Sequence, residues 1–207
     1  MSPHGGQEAE HRHGHRFPAH EWERLLSAER HALLDPARVL DLAGVRAGMT
    51  VADLGAGPGY FTLPLARRVG ETGTVYATDV SPDMLEVLVA RGLPPHVRPV
   101  LAGESHFDIP DGVVDLALLA FVLHEIAHPT AFLREVRRIL GPAGRLVVLE
   151  WKPQVEETGP PLHERLSVAR SAELLAAGGF EVTDEGEANA SHYYMLTRPE
   201  QPPAPDR

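Results

Sequence analysis

From Met49 onward, short apolar runs alternate with stretches of helical period. The runs are bounded by Gly, Pro, Asp or Ser and predict strands at 50–54, 74–78, 97–102, 114–119, 145–150, 181–185 and 193–197. Helices fall between them. One begins near Tyr60, and Pro64 inside it predicts a local kink. The next takes Ser81 as N-cap, Pro82 as its first residue and Gly92 as its stop. A third covers 129–140, with Phe132, Leu133, Val136, Ile139 and Leu140 on one stripe and Gly141 as stop, and the last ends at Gly178-Gly179. Upstream, Trp22, Leu25, Leu26 and Leu33 share one helical face, Asp35-Pro36 breaks the pattern, and a second short helix over 37–43 ends at Gly44.

Alternating strands and helices predict an α/β fold, with a mostly parallel sheet covered on both faces. The last two strands differ. The link 186–191 is too short for a parallel crossover, so this pair is predicted antiparallel. The segment 17–44 is expected to be a helical cap over a cleft or sheet edge, preceding one domain over 45–198. The ends, 1–16 and 199–207, are rich in Gly and His or in Pro, and read as disordered tails.

Composition narrows the function classes. The chain has 207 residues, 43% hydrophobic and 23% charged, which suits one globular domain. A formal net charge of -10 argues against a nucleic-acid partner, which clustered basic charge would attract. With no cysteine, disulfides, thiolate metal sites and thiol nucleophiles are excluded. No apolar run approaches about 18 residues, so no membrane span is expected. The expected location is the cytoplasm.

The chemistry gathers around "VADLGAGPGY", residues 51–60. Gly55, Gly57 and Gly59 follow a predicted strand and open a predicted helix, where bare backbone lines a ligand at a parallel-sheet switch point. Asp79 ends the second strand, at the distance expected of an acid that accepts from a ribose diol. The spacing departs from the dinucleotide fingerprint: the third glycine comes one place early, and Tyr60 stands where a small residue should pack. Asp53 puts a carboxylate beside the turn, which repels a pyrophosphate and welcomes an ammonium.

These residues, followed by "TDVSPDML" (78–85), "GES" (103–105) and "DLALLAFVLHEI" (115–126), resemble a class I S-adenosylmethionine-dependent methyltransferase, of the branch containing ubiquinone/menaquinone C-methyltransferases. The resemblance covers roughly 45–198. It implies a Rossmann-like seven-stranded sheet with an antiparallel last strand, S-adenosylmethionine as cofactor and a small-molecule methyl acceptor. By position it also implies that Gly55, Ala56 and Gly57 contact the methionine part of the cofactor. Asp53 would face its ammonium, Asp79 its ribose, and Val80 its adenine. Glu104, where the family more often has Asp, would accept from the adenine amino group. Ala120 and Phe121 would border the sulfonium. Gly59, Tyr60, Met84, Gly103 and Ser105 complete the implied cofactor set. The branch's arsenite methyltransferases need cysteine thiolates, so that chemistry is rejected.

His124 is the candidate base, set against a plain packing or capping role at the strand's end. His124 to His128 fits the H-E-x-x-H zinc pattern, but Pro129 argues against the continuous helix that pattern needs. No metal site is expected there. Trp151 reads equally as a pocket wall or a core ring. The segment 159–165, with His163 and Arg165, reads as a lid or as a solvated linker. The N-terminal His4, His11, His13, His15 and His20 are weak metal candidates without second-shell support. Two rivals stay open: an NAD(P)-dependent oxidoreductase and a non-catalytic cofactor-binding module.

Overall fold

The computed structural model describes residues 17–200. The segments 1–16 and 201–207, with His4, His11, His13 and His15, lie outside the described residues. Seven strands form one sheet: β1 (Thr50–Leu54), β2 (Thr74–Asp79), β3 (Val97–Leu101), β4 (Val114–Ala120), β5 (Leu140–Trp151), β6 (Phe180–Glu187) and β7 (His192–Pro199). Their order is β3-β2-β1-β4-β5-β7-β6. Every pairing from β3 to β5 is parallel, and β7 runs antiparallel to both β5 and β6. The predicted terminal hairpin is therefore present, with β7 inserted between β5 and β6. The expected C-terminal tail starts too early at 199, because Pro199 closes β7 opposite Phe180.

Both faces of the sheet are covered. On one face α2 (Pro36–Leu42), α3 (Thr62–Val69) and α4 (Pro82–Ala90) bury Val39, Leu65 and Leu88 against the strands. On the other, α5 (Pro129–Ile139) and α6 (Val168–Ala177) bury Leu133, Val136 and Leu175. Gly178 makes this second packing close: a Cβ there would stand 2.4 Å from Leu133 Cβ, with no backbone strain to add. Gly178→Ala is expected to cost about 1–2 kcal/mol of stability by overpacking, which chemical denaturation would measure.

Three further details differ from the sequence reading. Pro64 is the third residue of α3, where its missing N–H has no intrahelical partner to lose, so no kink is required. Gly141 does not stop α5. Helical geometry ends at Ile139, and Leu140 already pairs with Val114 before the register resumes at Arg145. The predicted helix upstream of Asp35 is two pieces, a 3-10 turn (Ala19–Leu26) and α1 (Ala28–Leu33). They divide at Ser27, whose side chain accepts from Arg30 N–H. That capping bond is why the chain turns there rather than continuing.

This sheet order has its switch point between β1 and β4. The chain leaves β1 through α3 towards β2 and returns from β3 to β4 on the other side. Ligands bind beyond the carboxyl ends of the strands at such a point. The 3-10 turn and α1 lie over this end. Tyr60 Oη donates to Leu34 O, and Asn189 Nδ2 donates to Leu33 O at 2.9 Å, so α1 is tied to both the glycine turn and the β6–β7 link.

Candidate functional site

A cavity of about 970 Å³ opens at the switch point, a size that suits a small organic ligand pair. Its floor is the turn after β1. Gly55 and Gly57 hold φ values of +72° and +52°, which side chains rarely adopt, and a Cβ on Gly55 would meet Val122 at 2.4 Å. Gly55, Ala56 and Gly57 line the cavity, and Gly57 faces Leu25 of the covering turn. Gly59 is not among the lining residues. Its missing Cβ makes room for Leu88 of α4, 2.4 Å from where that atom would stand. The glycine spacing in the sequence does not separate these two uses.

Two acids flank the turn. Asp79 lies at the end of β2, with Oδ2 accepting from Gly57 N–H and Oδ1 from Ser81 N–H, both at 2.8 Å. These bonds fix the carboxylate at the cavity wall. Asp53 is 2% exposed and accepts from Thr62 Oγ1 at 2.6 Å. Burial pushes its pKa up to about 7, partly offset by the Thr62 bond, with the Asp79 charge pushing the same way as burial. Val80, Met84, Gly103 and Glu104 also line this side of the cavity, whereas Ser105 does not. The loop bearing Gly103 and Glu104 is held by α5: Phe107 N–H donates to the buried carboxylate of Glu135, and Arg138 donates to Phe107 O and Ile109 O.

On the other side stand the ends of β4 and β5. Ala120 and Phe121 line the cavity. Phe121 has φ +63°, the one positive value at a non-glycine among the described residues. Such a conformation costs on the order of 1–3 kcal/mol and is held here by the bond from Phe121 N–H to Leu149 O. The ring is thereby turned towards Trp151 and His192. His124 follows in a single 3-10 turn (Leu123–Glu125), and His128 precedes α5, so the HEIAH stretch is not one helix. Among the described residues no group of three or more His, Asp or Glu side chains is arranged to hold a metal ion.

His124 has a partner that sequence reasoning missed. Its Nδ1 lies 3.0 and 2.9 Å from the two oxygens of Glu150, which is wholly buried at the end of β5. Glu150 also accepts from the backbone N–H of His124 and of Trp151, each at 3.2 Å. Burial alone lowers the His124 pKa, but the Glu150 hydrogen bond and charge, helped by Glu125 and Glu164, outweigh it and raise the value. Glu125, whose Oε1 is 3.9 Å from His124 Nε2, is itself raised to about 7, first by burial. The available sequence signal was a lone acid closing an otherwise apolar strand, "RLVVLEW" (145–151).

The loop after β5 is a built structure rather than a solvated linker. The Arg165 side chain is 2% exposed and donates to the carbonyls of Pro160, Lys152, Gln154 and Thr158 while stacking over Trp151 at 4.9 Å. Arg165 holds the loop and does not itself line the cavity. Thr158, Gly159 and Pro160 do. His163 is exposed. Arg165→Ala is expected to lower stability by about 1–2 kcal/mol, the scale for several lost charge-assisted bonds offset by water, and to speed proteolysis within 152–165.

Comparison with known proteins agrees with this geometry. Residues 52–148 match the methyltransferase domain family. The ubiquinone/menaquinone biosynthesis C-methyltransferase UbiE of Azotobacter vinelandii is 39% identical over 116 residues, covering 54% of this chain and 46% of its own. The UbiE of Enterobacter sp. is 36% identical over 154 residues, 72% of this chain and 59% of its own. The chain thus spans about half the length of the curated relatives it matches. A crystal structure of a SAM-dependent methyltransferase from Aquifex aeolicus superposes with a TM-score of 0.84 at 31% identity, covering 88% of this chain and 98% of that one. The sheet order, the acid-flanked glycine turn at its switch point and this whole-length likeness lead to one conclusion: the chain belongs to the S-adenosylmethionine-dependent methyltransferases.

Proposed function

We propose that the protein transfers a methyl group from S-adenosylmethionine to a small organic acceptor, with His124 as the base and Glu150 as its positioning residue. One observation carries the reading. A single cavity joins an acid-flanked glycine turn at one end to a buried histidine–carboxylate pair at the other. The residues present fit a cationic nucleoside. Gly55 and Gly57, on either side of the small Ala56, offer backbone without side chains, Asp53 a buried carboxylate for an ammonium, and Asp79 a fixed carboxylate for sugar hydroxyls. Val80, Met84, Gly103 and Glu104 border the place for the base. When bound, the cofactor supplies an electrophilic methyl on a sulfonium.

The chain's own residues supply alignment, exclusion of water and a proton acceptor. Phe121 and Tyr60 wall the centre of the cavity. Glu150 accepts from His124 Nδ1–H, which fixes the tautomer with Nε2 as the basic nitrogen. His124 Nε2 then takes the proton that an O–H, N–H or acidic C–H acceptor must lose. The names of the relatives, which place C-methylation in quinone biosynthesis, support a small organic acceptor. The carboxylates around the cavity favour a cation and disfavour phosphate backbones.

Calorimetry tests the reading. S-adenosylhomocysteine is expected to bind and NAD not to bind. Asp79→Ala is expected to weaken S-adenosylhomocysteine by roughly 1–3 kcal/mol, the cost of unpairing buried hydroxyls. A metabolite extract incubated with methyl-labelled cofactor should yield a labelled product by mass spectrometry. Tight NAD binding would favour an oxidoreductase, and cofactor binding without any methylated product would favour a non-catalytic module.

A further inference from the structure

The cavity is lined by two polar side chains, His192 buried and Arg30 partly buried, that the proposed chemistry does not use. His192, at the start of β7, is 2% exposed, and neither ring nitrogen has a hydrogen-bond partner. Arg30, in α1, has a buried Nε with no partner, and its guanidinium pairs with no carboxylate among the described residues. This is unusual because so many lining residues are acids. The guanidinium rests on ring faces instead, 4.8 Å from the centre of Tyr60 and 5.3 Å from that of Phe121. Leaving buried polar atoms without partners is unfavourable, so the retention of these atoms side by side points to a ligand group that completes them.

The surroundings narrow that group. Phe121, Trp151 and His192 form a continuous aromatic wall, with ring centres 4.3 to 5.6 Å apart. Arg30 and His192 both touch the Phe121 ring, so one ligand reaches both. A fixed guanidinium beside an imidazole is a complement for a carboxylate, and the ring wall is a complement for a planar ring. His192 is held neutral, lowered to about 4 by burial first, then by the charges of Arg30, Arg165 and Lys152 against that of Glu156. It therefore donates one N–H rather than adding a second charge.

We propose that this end of the cavity is an anion subsite that takes the carboxylate of an aromatic acceptor, gripped by Arg30 and His192 with its ring against Phe121 and Trp151. This inference rests on the methyltransferase reading. The same carboxylate chemistry could come from the cofactor's own amino-acid end. The position of His192 favours the acceptor. β7 lies three strands from β1, roughly 14 Å at ordinary strand spacing, whereas the amino-acid end belongs on the glycine turn after β1.

The test uses protein saturated with S-adenosylhomocysteine and titrated calorimetrically with benzoate, with benzamide as the neutral control. Benzoate is expected to bind at least roughly tenfold more tightly than benzamide, the scale of one charge-assisted bond. Arg30→Gln and His192→Phe are each expected to weaken benzoate by about tenfold or more and to leave S-adenosylhomocysteine affinity unchanged. His192→Gln replaces the Phe variant should that one not fold. Equal or absent binding of benzoate and benzamide overturns the proposal. So does an Arg30→Gln variant that weakens S-adenosylhomocysteine as much as benzoate, since the guanidinium then serves the cofactor. Failure of S-adenosylhomocysteine to bind at all sinks the underlying reading instead, and is seen before benzoate is added.

Discussion

His124→Gln is expected to cut methyl transfer by about 10²- to 10⁴-fold, the contribution of a positioned base, while leaving S-adenosylhomocysteine affinity unchanged. Labelled-methyl incorporation and calorimetry on the same variant separate the two. The pH profile supplies a second check. The base must be neutral, so the rate rises with pH through the His124 pKa, which Glu150 holds above its ordinary 6.5. Glu150→Gln removes that carboxylate charge and should move the rising limb to lower pH. Stability runs in the opposite sense. A histidine whose folded pKa is raised contributes stability that is fully present below its unfolded value and is lost as pH climbs through the folded one. A thermal midpoint that falls over that range in the native protein, but not in His124→Gln, would identify the pair. A rate unchanged in His124→Gln would return the residue to a packing role.

Asp53→Asn is expected to weaken S-adenosylhomocysteine by roughly 2–4 kcal/mol, about 30- to 1000-fold, the scale for removing one member of a buried hydrogen-bonded charge pair. The same substitution should not destabilise the ligand-free fold. Asparagine is isosteric and still accepts from Thr62. Burial raises the Asp53 pKa from 3.8 to about 7, so the native protein gains stability from the protonated form at low pH and loses it as pH rises to about 7. Asparagine cannot ionise and escapes that loss. The variant should therefore match the native chain near pH 4 and exceed it near pH 8 in denaturation, while binding ligand far less well. Equal cofactor affinity in the two proteins would remove Asp53 from the site.

Much of this was legible because its physics is local. Ser81 caps α4 through a bond to Met84 N–H three residues on, and Asp79 stands at a strand end whose distance from the glycine turn is fixed by one βαβ unit. The terminal antiparallel pair followed from the length of a link. What stayed hidden depends on distant segments meeting. Glu150 reads as one more strand-end acid until β4 and β5 lie side by side and it receives His124. Arg30 reads as a solvated helix residue until α1 folds over the cavity and sets it on Phe121. His192 acquires meaning only when β7 enters between β5 and β6. Gly59 and Gly57 share a spacing, yet one makes room for Leu88 and the other lines the cavity, a difference set by which neighbour approaches each.

The interior position of β7 has a consequence for the growing polypeptide. The glycine turn, Asp79 and Phe121 are all synthesised long before His192, so the nucleoside half can be complete on the ribosome while the acceptor wall does not yet exist. A chain stopped by a nonsense codon after Glu187 would leave the outer edge of β5 unpaired and β6, which pairs with β7 alone, without a sheet neighbour, an invitation for a strand from another molecule to add to that edge. Such truncated products are expected to pellet as aggregates rather than persist as cofactor-binding fragments.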